Sequence, residues 1–478
     1  MKKELSLTQT TIINAISKFG TMFIQVIISM VLARLILPAE YGVIAILTVL
    51  VNFFSLFAEM GLSISVVQKQ EIGKEECEQL FTFSFVFGLI FSIMSSLAAV
   101  PMSMIYDDAA YLKLCPLISI VALINSVNAV PNAMLCRDKK FDVIAIRSIA
   151  CAIFSGVVTI ILAYLGWGVY ALVANAIINA LFVFVWNYSQ NPLKLVKYSW
   201  KKTWALLGNY SLFQLIFSIV NYFTRNLDSL IIGAKMGDSA LGYYNKAYTL
   251  NLYPNAIFTN VVTSGLHPYI RDYNKEQNVL MSKLTGILKI LSIIAIYVMI
   301  VCFWCSSEII VIMYGEVWAP ASQCFKALSI CIWAQMLSSV AGSVFLGIER
   351  TDQTLKIGIF NLSLIIASIF VGIYFQSINA ISLAVGIAYN IIFVVTYFVL
   401  VQRTMKESFW KFFGNFKFDI VCATVFMIAV SFIKMDIGNV WISLIIKVAI
   451  CTCYYLIYLL ITKQIRYVLD LAKKILGK

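Results

Sequence analysis

The sequence predicts an all-α polytopic membrane protein with about fourteen transmembrane helices. Three observations carry that reading. Of 478 residues, 61% are apolar and only 12% are charged; the mean hydropathy is +0.89; and apolar runs recur at the length of about 20 residues that a helix needs to cross a hydrocarbon layer of about 30 Å. Barrel strands would instead alternate over segments of about ten residues. A soluble chain of this size needs a far larger charged surface.

In chain order the predicted spans cover, approximately, residues 12–33, 41–66, 80–104, 114–135, 143–165, 169–189, 208–234, 240–265, 282–304, 321–346, 356–376, 379–401, 418–433 and 440–461. Glycine or polar breaks separate the closest pairs, at Gly166–Gly168 and at Gln376–Asn379. No small-residue cleavage site precedes the first run, which is therefore expected to act as its own targeting signal. The loops expected on one side of the membrane carry 25 Lys and Arg residues, and those on the other carry four, Arg34, Lys113, Lys235 and Lys434. Basic loops stay cytoplasmic, so both termini are expected to face the cytoplasm. The tail from Thr462 to Lys478 reads as a basic amphipathic helix on anionic lipid or as a solvated helix end.

The formal charge of +13 is accounted for by this sidedness, and no nucleic-acid partner is expected. Eleven Cys residues include the pair Cys302 and Cys305, whose C-x-x-C spacing is filled by Phe303 and Trp304 inside an apolar run. That context argues for packing rather than metal or redox work. His267, beside Pro268, reads as a cap or surface residue rather than a proton carrier. No G-x-x-x-x-G-K-[ST] loop is present, so no ATP use, cofactor or enzymatic chemistry is expected of this chain.

Seven basic residues remain inside the spans: Lys18, Arg147, Arg225, Lys246, Lys289, Lys326 and Lys447. Only Glu59 and Asp228 are read as acidic there. Each buried charge costs about 2.5 to 3.5 kcal/mol near the centre of a helix, so each needs a partner, water or a ligand. An interior richer in bases than acids points to an anionic passenger. By helix rise, Arg34, Arg225, Asp228 and Lys246 are placed toward the outer side, and Lys18, Glu59 and Arg147 toward the cytoplasm. A purely structural reading stands beside each. Arg225 and Asp228 are spaced to pair on one helix face, Lys18 and Glu59 to staple two helices, and Arg34, Arg147 and Lys289 to snorkel.

An internal repeat organises the chain. The segment LPAEYGVIA (residues 37–45) parallels DSALGYYNKA (238–247), with Gly42 opposite Gly242; Leu135, Leu172 and Asn179 match Leu346, Leu383 and Asn390 at a constant offset. An even number of spans separates the copies, which predicts two like-oriented six-helix lobes with a path between them. The expected divisions are an N-lobe over residues 1–200, a C-lobe over 201–403, and two extra helices with a basic tail over 404–478.

The segments LARLILPAEYGVIA (32–45), LFAEMGLSISVVQKQ (56–70), LCRDKKF (135–141), RNLDSLIIGAKMGDSALGYYNKAY (225–248), HPYIRDY (267–273) and YGEVWAPA (314–321) together resemble the polysaccharide-transporter (Wzx-type) flippases of the multidrug/oligosaccharidyl-lipid/polysaccharide superfamily, the colanic acid and teichuronic acid exporters above all. The resemblance implies transfer of undecaprenyl-pyrophosphate-linked oligosaccharides from the inner to the outer leaflet of a bacterial cytoplasmic membrane. It also implies a V-shaped cavity and a place among polysaccharide polymerase and assembly proteins. Glu59 stands where that pattern has the shorter Asp. On this reading Arg34, Arg147, Arg225, Lys246 and Lys18 are the candidate substrate ligands, and Glu59 and Asp228 the candidates for ion coupling or ion pairing. The other readings are a multidrug/cation antiporter of the related branch, which would show more buried carboxylates than bases, a flippase for the peptidoglycan lipid precursor, and a non-transporting membrane scaffold.

Overall fold

The computed structural model describes residues 7–59, 62–68, 72–197, 218–219, 221–273, 277–348, 350–433, 435 and 437–467. The side chains of Glu59 and His267, the division expected at residue 200 and the tail beyond residue 467 lie outside the described residues. Ten helices are long and apolar enough to cross a membrane, or eleven if the bent pair Ala321–Ser329 and Ile332–Phe345 forms one span, among the described residues. The chain divides into two compact units, Met1–Gly242 and Tyr243–Lys478.

The first unit holds α1 (Leu7–Leu35), α2 (Pro38–Glu59), α3 (Leu62–Gln68), α4 (Lys74–Leu97), α5 (Ala99–Ile105), α6 (Ala110–Arg137), α7 (Phe141–Tyr164) and α8 (Val169–Gln190), and α9 over residues 221–236. At its end begins α10 (Asp238–Tyr273). Helix α6 is the hub, packing against α2, α4 and α8. Lipid gives helices no hydrophobic drive to associate, so close approach through small residues has to supply it. An added Cβ at Gly88 would sit 2.7 Å from that of Ser126. Ser126 Oγ donates to the Ser84 carbonyl at 2.6 Å and Ser92 Oγ to that of Ser119 at 2.8 Å. The break between α4 and α5 at Ala98 precedes Pro101, which has no N–H for the preceding turn and crowds its carbonyl.

Two motifs of the sequence now have physical causes. In LPAEYG, Pro38 opens α2, where a missing N–H costs nothing, and Glu40 is shared between two helix starts. Its Oε2 accepts from Leu37 N and its Oε1 from Val169 N, each at 3.0 Å. Gly168 has φ +53° and ψ −128°, a backbone conformation that strains any residue with a Cβ, and a Cβ there would also push Glu40 Oε1 aside. The paired glycines of the repeat meet in space. A Cβ at Gly42 would fall on the Asp238 carbonyl, 2.6 Å from its carbon, and a Cβ at Gly242 on the Pro38 carbonyl, 2.8 Å from its carbon. The first turns of α2 and α10 therefore cross backbone to backbone.

The second unit continues with α11 (Gln277–Trp304), α12 (Ser306–Tyr314), a 3₁₀ turn (Glu316–Trp318), α13 (Ala321–Ser329), α14 (Ile332–Gly347), α15 (Thr351–Tyr374), α16 (Ile378–Tyr397), a π-helical turn (Phe398–Thr404), α17 (Phe409–Gly414), α18 (Lys417–Ser431) and α19 (Val440–Ile461). Its core joins Leu284, Leu288 and Leu291 of α11 with Trp333 and Leu337 of α14, Phe393 of α16, Phe426 of α18 and Tyr455 of α19. Helix α13 meets α14 at a bend of 56°. At 15 residues, α18 is too short to stand among the ten spanning helices. The eighth expected span, in the polar-rich α10, is not among them either.

Two buried ion pairs tie this core together, and they correct the sequence reading of its charges. Asp419 and Glu308, which were not counted among the intramembrane acids, are buried carboxylates, as is Asp228. Lys289 Nζ lies 2.9 Å from both oxygens of Asp419 and 2.8 Å from the Asn415 carbonyl. Lys447 Nζ lies 2.5 Å from Glu308 Oε1, which also accepts from Ser443 Oγ at 2.6 Å. Lys289 therefore does not snorkel; its charge is matched inside the helix bundle.

Candidate functional site

A cleft with a volume of about 350 Å³ opens in the first unit between α2, α6 and α8. It carries no charged side chain. Its polar lining is Thr48 and Asn52 from α2, Asn125 from α6, and Asn175 and Asn179 from α8, set among Ile44 and Val51. Asn175 and Asn179 sit one turn apart, so both carboxamides share one face of α8. Thr48, Asn52 and Asn179 are exposed. The Asn175 Oδ1 atom is buried and accepts no hydrogen bond from the described residues. A buried amide oxygen without a donor costs about 1 to 3 kcal/mol. It is a standing acceptor for a ligand hydroxyl or water.

The same two helices carry further asparagines toward Arg147. Asn125, Asn128 and Asn132 follow one side of α6 at i, i+3 and i+7. Arg147 Nη1 donates to Asn132 Oδ1 at 3.0 Å and to Asn187 Oδ1 at 2.5 Å. Asn187 Nδ2 in turn donates to Asn128 Oδ1 at 2.8 Å. Arg147 is 8% exposed, its Nε finds no acceptor, and no carboxylate pairs with it among the described residues. Dipoles of neutral amides hold this guanidinium, so its positive charge is solvated but not cancelled. A planar guanidinium with spare N–H groups is suited to a phosphate or carboxylate.

The other candidate ligands are dispersed. Lys18, Arg34 and Arg225 are exposed. Arg225 makes no ion pair with Asp228, which is 5% exposed and accepts the Ser229 N–H at 2.7 Å. Arg147, Lys18 and Arg225 make no hydrogen bond with one another. In the second unit Lys246 is 6% exposed, its Nζ 5.0 Å above the Tyr314 ring and 5.8 Å above that of Trp318. The YGEVWAPA motif forms this aromatic seat. Gly315, at φ +96°, turns the chain so that the Tyr314 and Trp318 rings lie 5.8 Å apart. Such a seat is worth about 2 kcal/mol when desolvated. Among the described residues no group of three His, Cys, Asp or Glu side chains could hold a metal ion.

Asn179 entered the sequence reading only as a repeat position and the other asparagines not at all, because candidate ligands were sought among charges. Their signal was present: carboxamides at helical spacing inside apolar spans, where each is costly unless used.

Residues 31–323, more than half of the chain, match the family described as polysaccharide biosynthesis protein. The chain belongs to the polysaccharide biosynthesis protein family. Among its curated relatives, the lipopolysaccharide biosynthesis protein WzxC of Escherichia coli (strain K12) is 22% identical over 401 residues, covering 80% of this chain and 78% of that protein. The succinoglycan biosynthesis transport protein ExoT of Rhizobium meliloti (strain 1021) is 22% identical over 500 residues, covering 96% and 94%. The fold of this family member is shared with transporters of known structure. An inward closed conformation of the lipid II flippase MurJ superposes with a TM-score of 0.75 at 16% identity, covering 95% of this chain and 99% of that one. An inward-facing multidrug resistance MATE transporter follows at 0.61 and 13%, covering 85% and 95%.

Proposed function

We propose that this polysaccharide biosynthesis protein is a flippase that carries lipid-linked oligosaccharide units from the cytoplasmic to the outer leaflet of a bacterial membrane by alternating access. The asparagine-lined cleft carries the reading. A sugar hydroxyl placed bare in hydrocarbon loses hydrogen bonds worth about 4 to 8 kcal/mol, so a repeat unit cannot cross alone. Carboxamides offer a donor and an acceptor on one side chain, which matches hydroxyls without imposing a net charge. Arg147, held at the end of the same asparagine run, supplies attraction for the pyrophosphate. The names of the relatives, a lipopolysaccharide biosynthesis protein and a succinoglycan biosynthesis transport protein, agree with this assignment. Moving two negative charges outward across 100 mV, negative inside, releases up to roughly 4.6 kcal/mol, and Asp228 and Glu59 remain the candidates for ion coupling.

Two predictions follow the two chemistries. Asn175→Leu and Asn125→Leu keep side-chain size and remove the amides. In proteoliposomes carrying a fluorescent lipid-linked oligosaccharide, each is expected to lower the flipping rate about tenfold at unchanged protein content; rates within twofold of the parent would rule out the cleft. Arg147→Ala and Arg225→Ala, expressed at parental level, are expected to leave lipid-linked units accumulating on the cytoplasmic leaflet. Unimpaired export in both would remove these residues as headgroup ligands.

A further inference from the structure

Helix α2 has a second face. Opposite the cleft, a groove of about 450 Å³ runs between α2, α5 and α9, lined by Leu50 and Phe53, by Met102 and Ile105, and by Phe223 and Ile231. At 100° per residue, the α2 positions lining the groove (49, 50 and 53) and those lining the cleft (44, 48, 51 and 52) point in roughly opposite directions. The helix is a septum between a polar and an apolar compartment at the same level of the molecule. Two tyrosines border the groove, but their hydroxyls are spent on backbone: Tyr106 Oη donates to the Leu230 carbonyl at 3.2 Å and Tyr222 Oη to that of Val49. What remains polar is Lys235, which is exposed at the groove's end and has no carboxylate partner among the described residues. From Tyr222 to Lys235 the groove follows α9 for about 20 Å, somewhat more than half of a hydrocarbon core.

An apolar groove inside a bilayer gains nothing from the hydrophobic effect, because the surrounding lipid is equally apolar. Selective occupancy therefore requires a tether at the head. An ordinary phospholipid has Lys235 alone. A lipid-linked sugar has Lys235 for its phosphate and the asparagines on the far face of α2 for its sugar. Only the width of α2 separates the two compartments, since Val49, Leu50 and Phe53 line the groove together with Lys235, and Thr48, Val51 and Asn52 line the cleft. We infer that the groove seats the polyprenyl chain of the passenger lipid, with its phosphate at Lys235, while the sugar lies in the cleft across α2. This rests on the flippase reading and deepens it.

The test places a photo-reactive side chain at Leu50 or Ala234 in the groove, and at Thr48 in the cleft. The full-length protein sits in nanodiscs of phosphatidylethanolamine and phosphatidylglycerol, and the probe is undecaprenyl pyrophosphate with tritium in its chain and no sugar attached. Labelling from position 50 is expected to exceed that from position 48 at least fivefold. Unlabelled probe should abolish it, an equal mole fraction of added phosphatidylglycerol should not, and Lys235→Glu should lower it at least fivefold. Equal labelling from 48 and 50, or equal competition by phosphatidylglycerol, would overturn the assignment. Lys235 is exposed and its replacement leaves the packing intact, which an unchanged gel-filtration profile checks. Because the probe carries no sugar and nothing need be transported, labelling that persists in a protein unable to flip oligosaccharides would sink the function proposed above and leave the groove standing. Flipping without labelling would do the reverse.

Discussion

Asp419→Ala is expected to be the most destabilising single substitution outside the helix backbones, costing about 3 to 5 kcal/mol. The carboxylate holds three groups through four contacts. It takes two contacts from Lys289 Nζ at 2.9 Å, one from Ser292 Oγ at 2.5 Å and one from Tyr458 Oη. Trp333 Nε1 donates to Ser292 Oγ at 2.7 Å, and Gln464 Nε2 to Tyr458 Oη at 2.8 Å, so the network reaches α11, α14, α18 and α19. With Asp419 1% exposed, water does not replace what is removed. Lys289 would be left as a buried charge with one backbone carbonyl. In detergent, the midpoint of thermal unfolding should fall by about 10 °C, taking about 2 to 4 °C per kcal/mol for a unit of this size. The double variant Lys289→Met/Asp419→Leu, which removes both charges and keeps the volume, should recover most of that loss, because the desolvation of the pair offsets its attraction. A single variant that melts within 2 °C of the parent would show the pair to be slack; a double variant as unstable as the single would show that the network, not the charge, holds the helices.

That pair also shows what was legible in the sequence. The count and lengths of apolar runs follow from the thickness of a bilayer, so helices such as Phe141–Tyr164, Val169–Gln190 and Val440–Ile461 appear almost where expected. Breaks inside a span were harder. The bend between α13 and α14 follows Ser329, with no proline or glycine near it to announce it. The buried bases could be located, but the acids Asp419 and Glu308 were missed and neither pair was foreseen, since Lys289 and Asp419 stand 130 positions apart and only the fold decides their contact. Lys447 and Glu308 were opaque for the same reason. The candidate site was half visible. Arg147 stood out as a guanidinium in an apolar span, whereas its asparagine cage was overlooked because a neutral amide leaves no mark on a charge count. Lys246 was visible as a charge, but its aromatic seat comes from a distant loop.

The second large effect is expected at the repeat itself. Gly42 and Gly242 were recognisable as matching positions, and their juxtaposition explains why both need to lack a side chain: each helix start rests on the other's backbone. A methyl group at Gly42 meets the carbonyl carbon of Asp238 at 2.6 Å and its Cα at 2.8 Å. Main chain cannot rotate aside as a side chain can, so the two helix starts must separate, at a cost of about 1 to 3 kcal/mol or more. Gly242→Ala forces the same separation from the other side. The two substitutions are therefore expected to be strongly non-additive: once α2 and α10 have moved apart for one methyl group, the second meets space already made. Thermal unfolding of Gly42→Ala, Gly242→Ala and the double variant separates this from two independent packing defects. The double variant should cost little more than the worse single one, with a coupling of at least about 1 kcal/mol. Costs that simply add would mean that the glycines act independently, each through its own helix, and the reciprocal crossing would lose its standing as the physical basis of the repeat.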